Sequence, residues 1–299
     1  MEVLISAPRG FCAGVVRAID LVELALKKYG APVYIKHQIV HNPHVVSDLE
    51  KKGAITVENV HEIPNGSNVV FSAHGSPPED FKEAQKKDLN IIDAVCPLVT
   101  KVHNEAKKYS SLGKKIILVG HDGHQEVKGT MGQTEMTLVD DKNVNSIPEW
   151  DRDTEVVVLT QTTLSVNDTQ NITSALQKEF TNSIIRNDIC YATTNRQEAV
   201  KQMAEKVDAI LVIGAENSSN CNRLKELSES LGVPSQLANN TAEINYDSIK
   251  NCKVVGITSG ASTPEVLVQE IIKYLHPTKI SYLTTIEEDI TFTIREGTV

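Results

Sequence analysis

The sequence predicts an α/β protein built from three similar small α/β units. Short apolar runs, such as VLISA, NVVFSA and AILVIG, alternate with segments of helical period along the whole chain. This alternation is typical of parallel sheets with helices on both faces. One cysteine context also recurs three times at nearly even intervals, which indicates that the units share a layout.

These observations divide the chain into three units and a tail. We expect units at residues 1–95, 96–187 and 188–276, followed by a C-terminal tail at residues 277–299. The tail contains two short β-like segments, and we expect it to fold back onto the body. The units resemble one another in layout and not in residue identity.

Three cysteines carry the repeated context. Cys12, Cys96 and Cys190 each lie after an apolar run and short loop, directly before a helical segment. We therefore expect a pseudo-threefold arrangement in which the three thiols hold one central cofactor with an open coordination position. Thiolates at helix N-termini are well suited to metal ligation. Cys221 and Cys252 lack this context and are expected to pack as small apolar residues.

The composition is ordinary for a globular protein: 299 residues, 40% hydrophobic and 23% charged. No apolar run is long enough to span a membrane, and the N-terminus reads as a strand and not as a signal peptide. Five cysteines are too few for a disulfide scaffold, so we expect reduced thiols and a cytoplasmic location. The net charge of −9 argues against nucleic-acid partners. Without a long apolar stripe, a monomer is expected.

Polar loops follow the predicted strands, where ligands bind in open α/β sheets. These loops contribute no Lys or Arg, so they would hold an anion such as a diphosphate through imidazoles, hydroxyls, amides and helix N-termini. Glu126 follows His124 by two residues and is a candidate proton donor. The Walker and dinucleotide glycine patterns are absent. The candidate anion ligands are His41, His74, His124, Thr162, Ser218, Ser219, Asn220 and Ser262. The remaining histidines, expected on the surface or in local hydrogen bonds, are His37, His44, His61, His103, His121 and His276.

The three thiols alone do not identify the cofactor that they would hold. Zinc held by three cysteines and a water would indicate a hydrolase of an anionic substrate. An iron–sulfur cluster with one open iron would instead act as a Lewis acid and deliver electrons, which suits reductive removal of a hydroxyl group. A non-catalytic iron–sulfur sensor is disfavoured because the sequence has no basic nucleic-acid face.

Nine segments, in order from residue 8 to about residue 265, resemble the 4-hydroxy-3-methylbut-2-enyl diphosphate reductase family. The segments are APRGFCAGVVRAI, the His41-Asn42 step in IVHNPHVV, SAHGSPP, DAVCPLVTKVH, GHDGHQEVKGTMG, TQTTLS, ICYATTNRQEAV, NSSN and TSGASTPE. Each segment alone is a weak signal, but nine in order are specific.

The resemblance implies one [4Fe–4S] cluster per chain, ligated by Cys12, Cys96 and Cys190, with one iron that the protein does not ligate. It implies that the eight polar loop residues surround the substrate and that Glu126 relays protons. Thr162 is preferred to Thr163 for the site. The implied reaction is two-electron reduction to isopentenyl and dimethylallyl diphosphates, with a ferredoxin- or flavodoxin-type electron donor. Glu216, next to NSSN, is expected to face solvent.

Overall fold

The computed structural model describes residues 1–299, and its strands form three sheets in which every ladder is parallel. This confirms the predicted α/β class. The strands are β1 (Glu2–Ala7), β2 (Val33–Lys36), β3 (Ala54–Val57), β4 (Asn68–Phe71), β5 (Asn90–Asp93), β6 (Lys115–Val119), β7 (Thr137–Val139), β8 (Val156–Thr160), β9 (Ser183–Ile185), β10 (Ala209–Ile213), β11 (Ser235–Ala238), β12 (Val254–Ser259) and β13 (Lys279–Thr284).

Helices follow most of the strands along the chain, and parallel neighbours within one sheet need such long connections. The helices are α1 (Ala13–Tyr29), α2 (Pro43–Lys51), α3 (Pro78–Lys86), α4 (Pro97–Ser111), α5 (Gln125–Met131), α6 (Val166–Glu179), α7 (Tyr191–Ala204), α8 (Ser219–Ser230) and α9 (Glu265–Leu275). Short 3-10 helices lie at Val60–Glu62, Val144–Ser146, Thr241–Glu243 and Tyr246–Ser248. No helix combines the length and the apolar character needed to cross a membrane.

The backbone packs as two compact units. The first comprises Met1–Ala13, His41–Val45 and Cys190–Thr291. The second comprises Gly14–Val40, Val46–Ile189 and Phe292–Val299.

The second unit contains two four-stranded sheets, in the orders β3-β2-β4-β5 and β7-β6-β8-β9. The central strands are continuous apolar runs, as expected for strands covered on both faces. All five residues of β8 are buried. Helix α1 buries the face that contains Leu21, Val22 and Ala25, and it ends at Gly30, whose φ of +78° suits a left-handed helix stop.

The first unit contains one five-stranded sheet in the order β11-β10-β12-β1-β13. This arrangement differs from the expected division at residues 1–95, because β1 pairs with β12 and β13 and not with the strands that follow it in sequence. Val3 pairs with Val255, and Val3 and Ile5 are fully buried. A strand that is apolar on both faces needs neighbours on both edges, and the late strands provide them.

The C-terminal tail forms one strand and not two. Strand β13 extends along β1, with Glu2 opposite Lys279 and Ala7 opposite Thr284. Residues 285–299 form no further strand or helix. Within them, Glu288 pairs with the fully buried guanidinium of Arg196, with 3.0 Å between Oε1 and Nη1. At α9, Pro264 lies in extended conformation at the N-cap.

Candidate active site

In the second unit, the ends of β6 and β8 bring Glu126 against Thr162. Glu126 lies in the first turn of α5, and Thr162 follows β8 by two residues. The Thr162 backbone N–H donates to Glu126 Oε1 at 2.7 Å, and the Thr162 hydroxyl donates to Oε2 at 2.8 Å. Thr163 instead accepts a hydrogen bond from Gln161 Nε2 at 2.9 Å. The geometry therefore favours Thr162 as the partner of the candidate acid.

The environment of Glu126 suits proton donation. The side chain is buried, and this burial raises its pKa from 4.5 to about 7, although both hydrogen bonds from Thr162 favour the ionised form. The nearby carboxylate of Asp188 adds to the rise. A carboxyl group with a pKa near neutrality can be protonated at rest and can still release its proton, as general acid catalysis requires.

Two neighbouring histidines lie at the start of the helix that carries Glu126. His124 is the N-cap of α5, and its Nδ1 accepts the backbone N–H of Glu126 at 3.2 Å. His74 follows β4, and its ring centroid lies 6.2 Å from that of His124. Because Nδ1 of His124 accepts this bond, the neutral ring carries its proton on Nε2.

Cys96 completes the candidate residues of the second unit. It is the N-cap of α4, and its backbone N–H donates to the carbonyl of Ala73 at 3.0 Å. This bond ties the loop after β5 to the loop that carries His74. The thiol lies at the N-terminus of this helix and does not cap it.

In the first unit, backbone anchors hold the Cys12 loop. The Cys12 N–H donates to the Ala261 carbonyl at 3.2 Å, and the next N–H, of Ala13, donates to the Tyr191 hydroxyl at 3.0 Å. Arg196 donates to the Gly10 carbonyl at 2.7 Å. Burial raises the pKa of Tyr191 to about 12, so this hydroxyl keeps its proton while it accepts from Ala13.

A chain of hydrogen bonds connects Cys190 to the loop that holds Cys12. Cys190 Sγ lies 3.2 Å from the Thr193 hydroxyl, which accepts a bond from Asn220 Nδ2 at 3.3 Å. Asn220 Oδ1 in turn accepts the N–H of Ala261 at 3.0 Å. The chain spans α7, α8 and the loop after β12, so it fixes two of the three candidate cysteines to one framework.

The remaining anion-ligand candidates of the first unit lie at helix starts and strand ends. Ser218 is the N-cap of α8 and Ser219 is its first residue, so both lie where N–H groups favour an anion. The Ser262 hydroxyl, in the loop after β12, donates to the His41 carbonyl at 3.1 Å. The structure thus gathers His41, Ser218, Ser219, Asn220 and Ser262 in the first unit, and His74, His124 and Thr162 in the second.

Some residues carry interactions that sequence reasoning missed. Thr193 was not singled out, although it lies three residues after Cys190, at the spacing that brings helical neighbours together. His103 was expected on the surface or in local hydrogen bonds. It is instead buried, with no hydrogen-bond partner for Nε2. The face of α4 turned toward the core includes this position, and the sequence alone does not distinguish it from a solvated one.

The expectations for Cys221, Cys252 and Glu216 agree with the structure. Cys221 is fully buried, and its sulfur fills the space beside Gly214 and Gly260. Cys252 packs against the core of the first unit. None of the five cysteines forms a disulfide. Glu216 is exposed.

Comparisons with known proteins identify relatives over nearly the whole chain. The model of the family described as LytB protein matches residues 3–276. The 4-hydroxy-3-methylbut-2-enyl diphosphate reductase 2 of Bradyrhizobium diazoefficiens is 50% identical over 303 residues, covering 98% of this chain and 97% of the relative. The corresponding reductase of Burkholderia pseudomallei is 47% identical over 299 residues, covering 98% and 96%.

A solved structure gives the same result at the level of the fold. The E-1-hydroxy-2-methyl-but-2-enyl-4-diphosphate reductase from Plasmodium falciparum superposes with a TM-score of 0.93 at 36% identity, covering 96% of this chain and 93% of that one. The family match, the identities and the fold agree over the segments that hold the candidate residues. The chain belongs to the LytB protein family of diphosphate reductases.

Proposed function

We propose that the protein catalyses the two-electron reductive dehydroxylation of (E)-4-hydroxy-3-methylbut-2-enyl diphosphate to isopentenyl and dimethylallyl diphosphates. The observation that carries the proposal is Glu126, a buried carboxyl group with a pKa of about 7, held by Thr162 and next to His124. It supplies a proton in a site whose remaining candidate residues suit an anion. Relatives named 4-hydroxy-3-methylbut-2-enyl diphosphate reductase match almost the whole chain.

We propose that Cys12, Cys96 and Cys190 hold one [4Fe–4S] cluster and leave one iron without a protein ligand. The donor set fits such a group. Each thiol directly precedes the first residue of a helix, is partly buried and forms no disulfide. Three thiolates are one fewer than such a cluster usually takes, which leaves an open position. When bound, the cluster supplies electrons and a Lewis-acidic iron.

The chain's other residues bind and orient the substrate. His41, His74, His124, Thr162, Ser218, Ser219, Asn220 and Ser262 are the proposed substrate-binding residues. Helix N-termini, amides, hydroxyls and imidazoles can satisfy diphosphate oxygens without Lys, Arg or Mg²⁺. Because Asn220 and Ser262 also hold the surrounding backbone, their polar atoms are fixed before substrate arrives, which lowers the entropic cost of binding.

Glu126 relays the protons, and it must regain a proton from solvent between the two transfers. The substrate's C–O bond breaks and a C–H bond forms, with the uptake of two electrons and two protons and the release of water. One proton joins the departing hydroxyl group, and the other joins an allylic carbon. Glu126 donates from a carboxyl group that Thr162 orients, and its neighbour His124 has an N–H that can bind the diphosphate.

We also propose a ferredoxin- or flavodoxin-type protein as electron donor and a monomeric state. The alternative, a hydrolase with zinc on the three cysteines, has no support among the named relatives. Metal and sulfide analysis of protein purified without oxygen separates the two. About four irons and four sulfides per chain support the reductase. One zinc without sulfide would support the hydrolase.

A further inference from the structure

The second unit contains a cavity of about 370 Å³ behind the turn that follows His74. Its wall includes Gly75 and Ser76 of that turn and residues of α3 and α4. None of the substrate-binding residues proposed above lines it. It adjoins the candidate active site through Gly75 and Ser76, which follow His74, and through Val95, which precedes Cys96.

Two buried polar atoms on the cavity wall have no hydrogen-bond partner. They are Nε2 of His103, which is 7% exposed, and Oγ of Ser76, which is 2% exposed. Burial lowers the pKa of His103 to about 4, so the ring is neutral near pH 7 and can present an N–H at Nε2. A buried donor without an acceptor destabilises the folded protein, and an acceptor in the cavity would remove that cost.

The rim of the cavity is rich in donors. Lys82 of α3 and Lys107 of α4 line it together with the amide side chains of Asn104 and Gln133. Asp93 is the one carboxylate among the lining residues. The lining carries two ammonium groups and one carboxylate, and the Lys82 ammonium also lies 3.6 Å from Oε1 of Glu79. The Lys107 ammonium is therefore the charge of the lining that favours an oxyanion.

The Gly75–Ser76 backbone forms a thin wall between the cavity and α5. A Cβ on Gly75 would lie 2.8 Å from Cε1 of His103, and a Cβ on Gly129 of α5 would lie 2.9 Å from the Gly75 carbonyl carbon and oxygen. Both glycines are thus required for this close packing. Any ligand beside His103 would therefore lie close to the turn that follows His74.

We propose that this cavity is a second, small anion site that binds a phosphate-bearing molecule through His103, Ser76, Lys82 and Lys107. The proposal does not depend on the proposed reductase activity. Phosphate matches the site because its oxygens accept from hydroxyl, imidazole, amide and ammonium donors together. Ordered water is the alternative occupant of a polar cavity of this kind.

The test is a titration of the full-length protein, isolated without oxygen and labelled with ¹⁵N at histidine, with inorganic phosphate. We expect a saturable shift of the His103 ring signal. The cavity double variant Lys82→Ala/Lys107→Ala should bind phosphate at His103 at least tenfold more weakly. The matched control is Lys86→Ala/Lys108→Ala, which removes two exposed lysines from the same helices away from the cavity lining and should titrate like the original chain.

A repeat with glycerol 3-phosphate distinguishes the source of the phosphate group. Tighter binding than inorganic phosphate supports an organic phosphate as occupant, and weaker or equal binding supports inorganic phosphate. A His103 signal that does not move with either probe would overturn the proposal and leave water in the cavity. The same conclusion follows if the cavity variant and the control variant titrate alike.

Discussion

At the scale of single residues, Glu126 has the environment that matters most for the proposed chemistry. Its sequence neighbourhood indicated a proton donor only because His124 precedes it in a glycine-containing loop. The structure adds burial and two hydrogen bonds from Thr162, which lies on a different strand end. Such a contact between distant segments is set by the sheet and not by local sequence, so spacing alone could not predict it.

The first prediction concerns the acid itself. Glu126→Gln should lower turnover by about 10²–10⁴-fold, the usual contribution of a general acid. Iron content and substrate affinity should remain close to those of the original chain, because the amide has nearly the same shape. Steady-state kinetics with iron analysis measure both. Glu135→Gln changes an exposed carboxylate and is the control. Near-normal turnover of Glu126→Gln would remove this residue from the mechanism.

The second prediction concerns pH. An acid must be protonated to act, so kcat/KM should fall as the pH rises through about 7, the raised pKa of Glu126. Thr162→Val removes a hydroxyl hydrogen bond that favours the ionised carboxylate. The pKa of Glu126 should therefore rise further, and the fall of kcat/KM should occur at higher pH.

Thr163→Val is the matched control, since the Thr163 hydroxyl accepts from Gln161. Its pH–rate profile should follow that of the original chain. If the pH at which kcat/KM falls changes for Thr163→Val and not for Thr162→Val, the site threonine is Thr163 and not Thr162.

At the scale of secondary-structure elements, the important feature is the set of helix starts that carry the candidate ligands. Cys96 and Cys190 are N-caps, and Ser218 is the N-cap of α8. The strand–loop–helix pattern predicted these starts well, because caps and apolar periodicity are local signals. The hydrogen-bond chain through Thr193 and Asn220 was not predictable, since it depends on how α7 and α8 pack.

The third prediction tests that chain. Asn220→Ala removes the bonds to Thr193 and to the Ala261 N–H, and it leaves buried groups without partners. The free energy of substrate binding should become less favourable by roughly 1–3 kcal/mol, as when other buried polar groups lose their partners. Binding measurements with the iron content fixed provide the comparison. Ser230→Ala, at the far end of α8, should bind substrate normally. Equal affinity for both variants would contradict the proposed anion site.

At the scale of the whole molecule, the two ends of the chain contribute to one sheet. Strand β1 pairs with β12 and with β13 from the tail, so the first strand depends on residues more than 250 positions later. The sequence predicted the α/β class and parallel sheets through repeated local patterns. It did not predict the sheet to which β1 belongs, because several apolar strands are equally good partners until the chain is folded.

The fourth prediction concerns the ion pair between the tail and α7. Arg196 is fully buried and holds both Glu288 and the Gly10 carbonyl, two residues before Cys12. Glu288→Ala leaves the guanidinium without its charge partner, a change that typically costs 3–5 kcal/mol. We expect a lower midpoint of thermal unfolding and faster loss of iron.

Glu287→Ala removes the exposed neighbouring carboxylate and serves as the control. Thermal unfolding followed by circular dichroism, together with iron retention over time, compares the variants. Equal midpoints and equal iron retention in the two variants would mean that the pair does not hold the Cys12 loop.

The most direct test of the central claim is product analysis with protein purified without oxygen, (E)-4-hydroxy-3-methylbut-2-enyl diphosphate and a low-potential chemical reductant. The account predicts isopentenyl and dimethylallyl diphosphates from the original chain. It also predicts that the variants Cys12→Ser, Cys96→Ser and Cys190→Ser lose most of this activity, while Cys252→Ser retains it. Unchanged substrate from an iron-loaded original chain, or full activity in all three variants, would contradict the assignment.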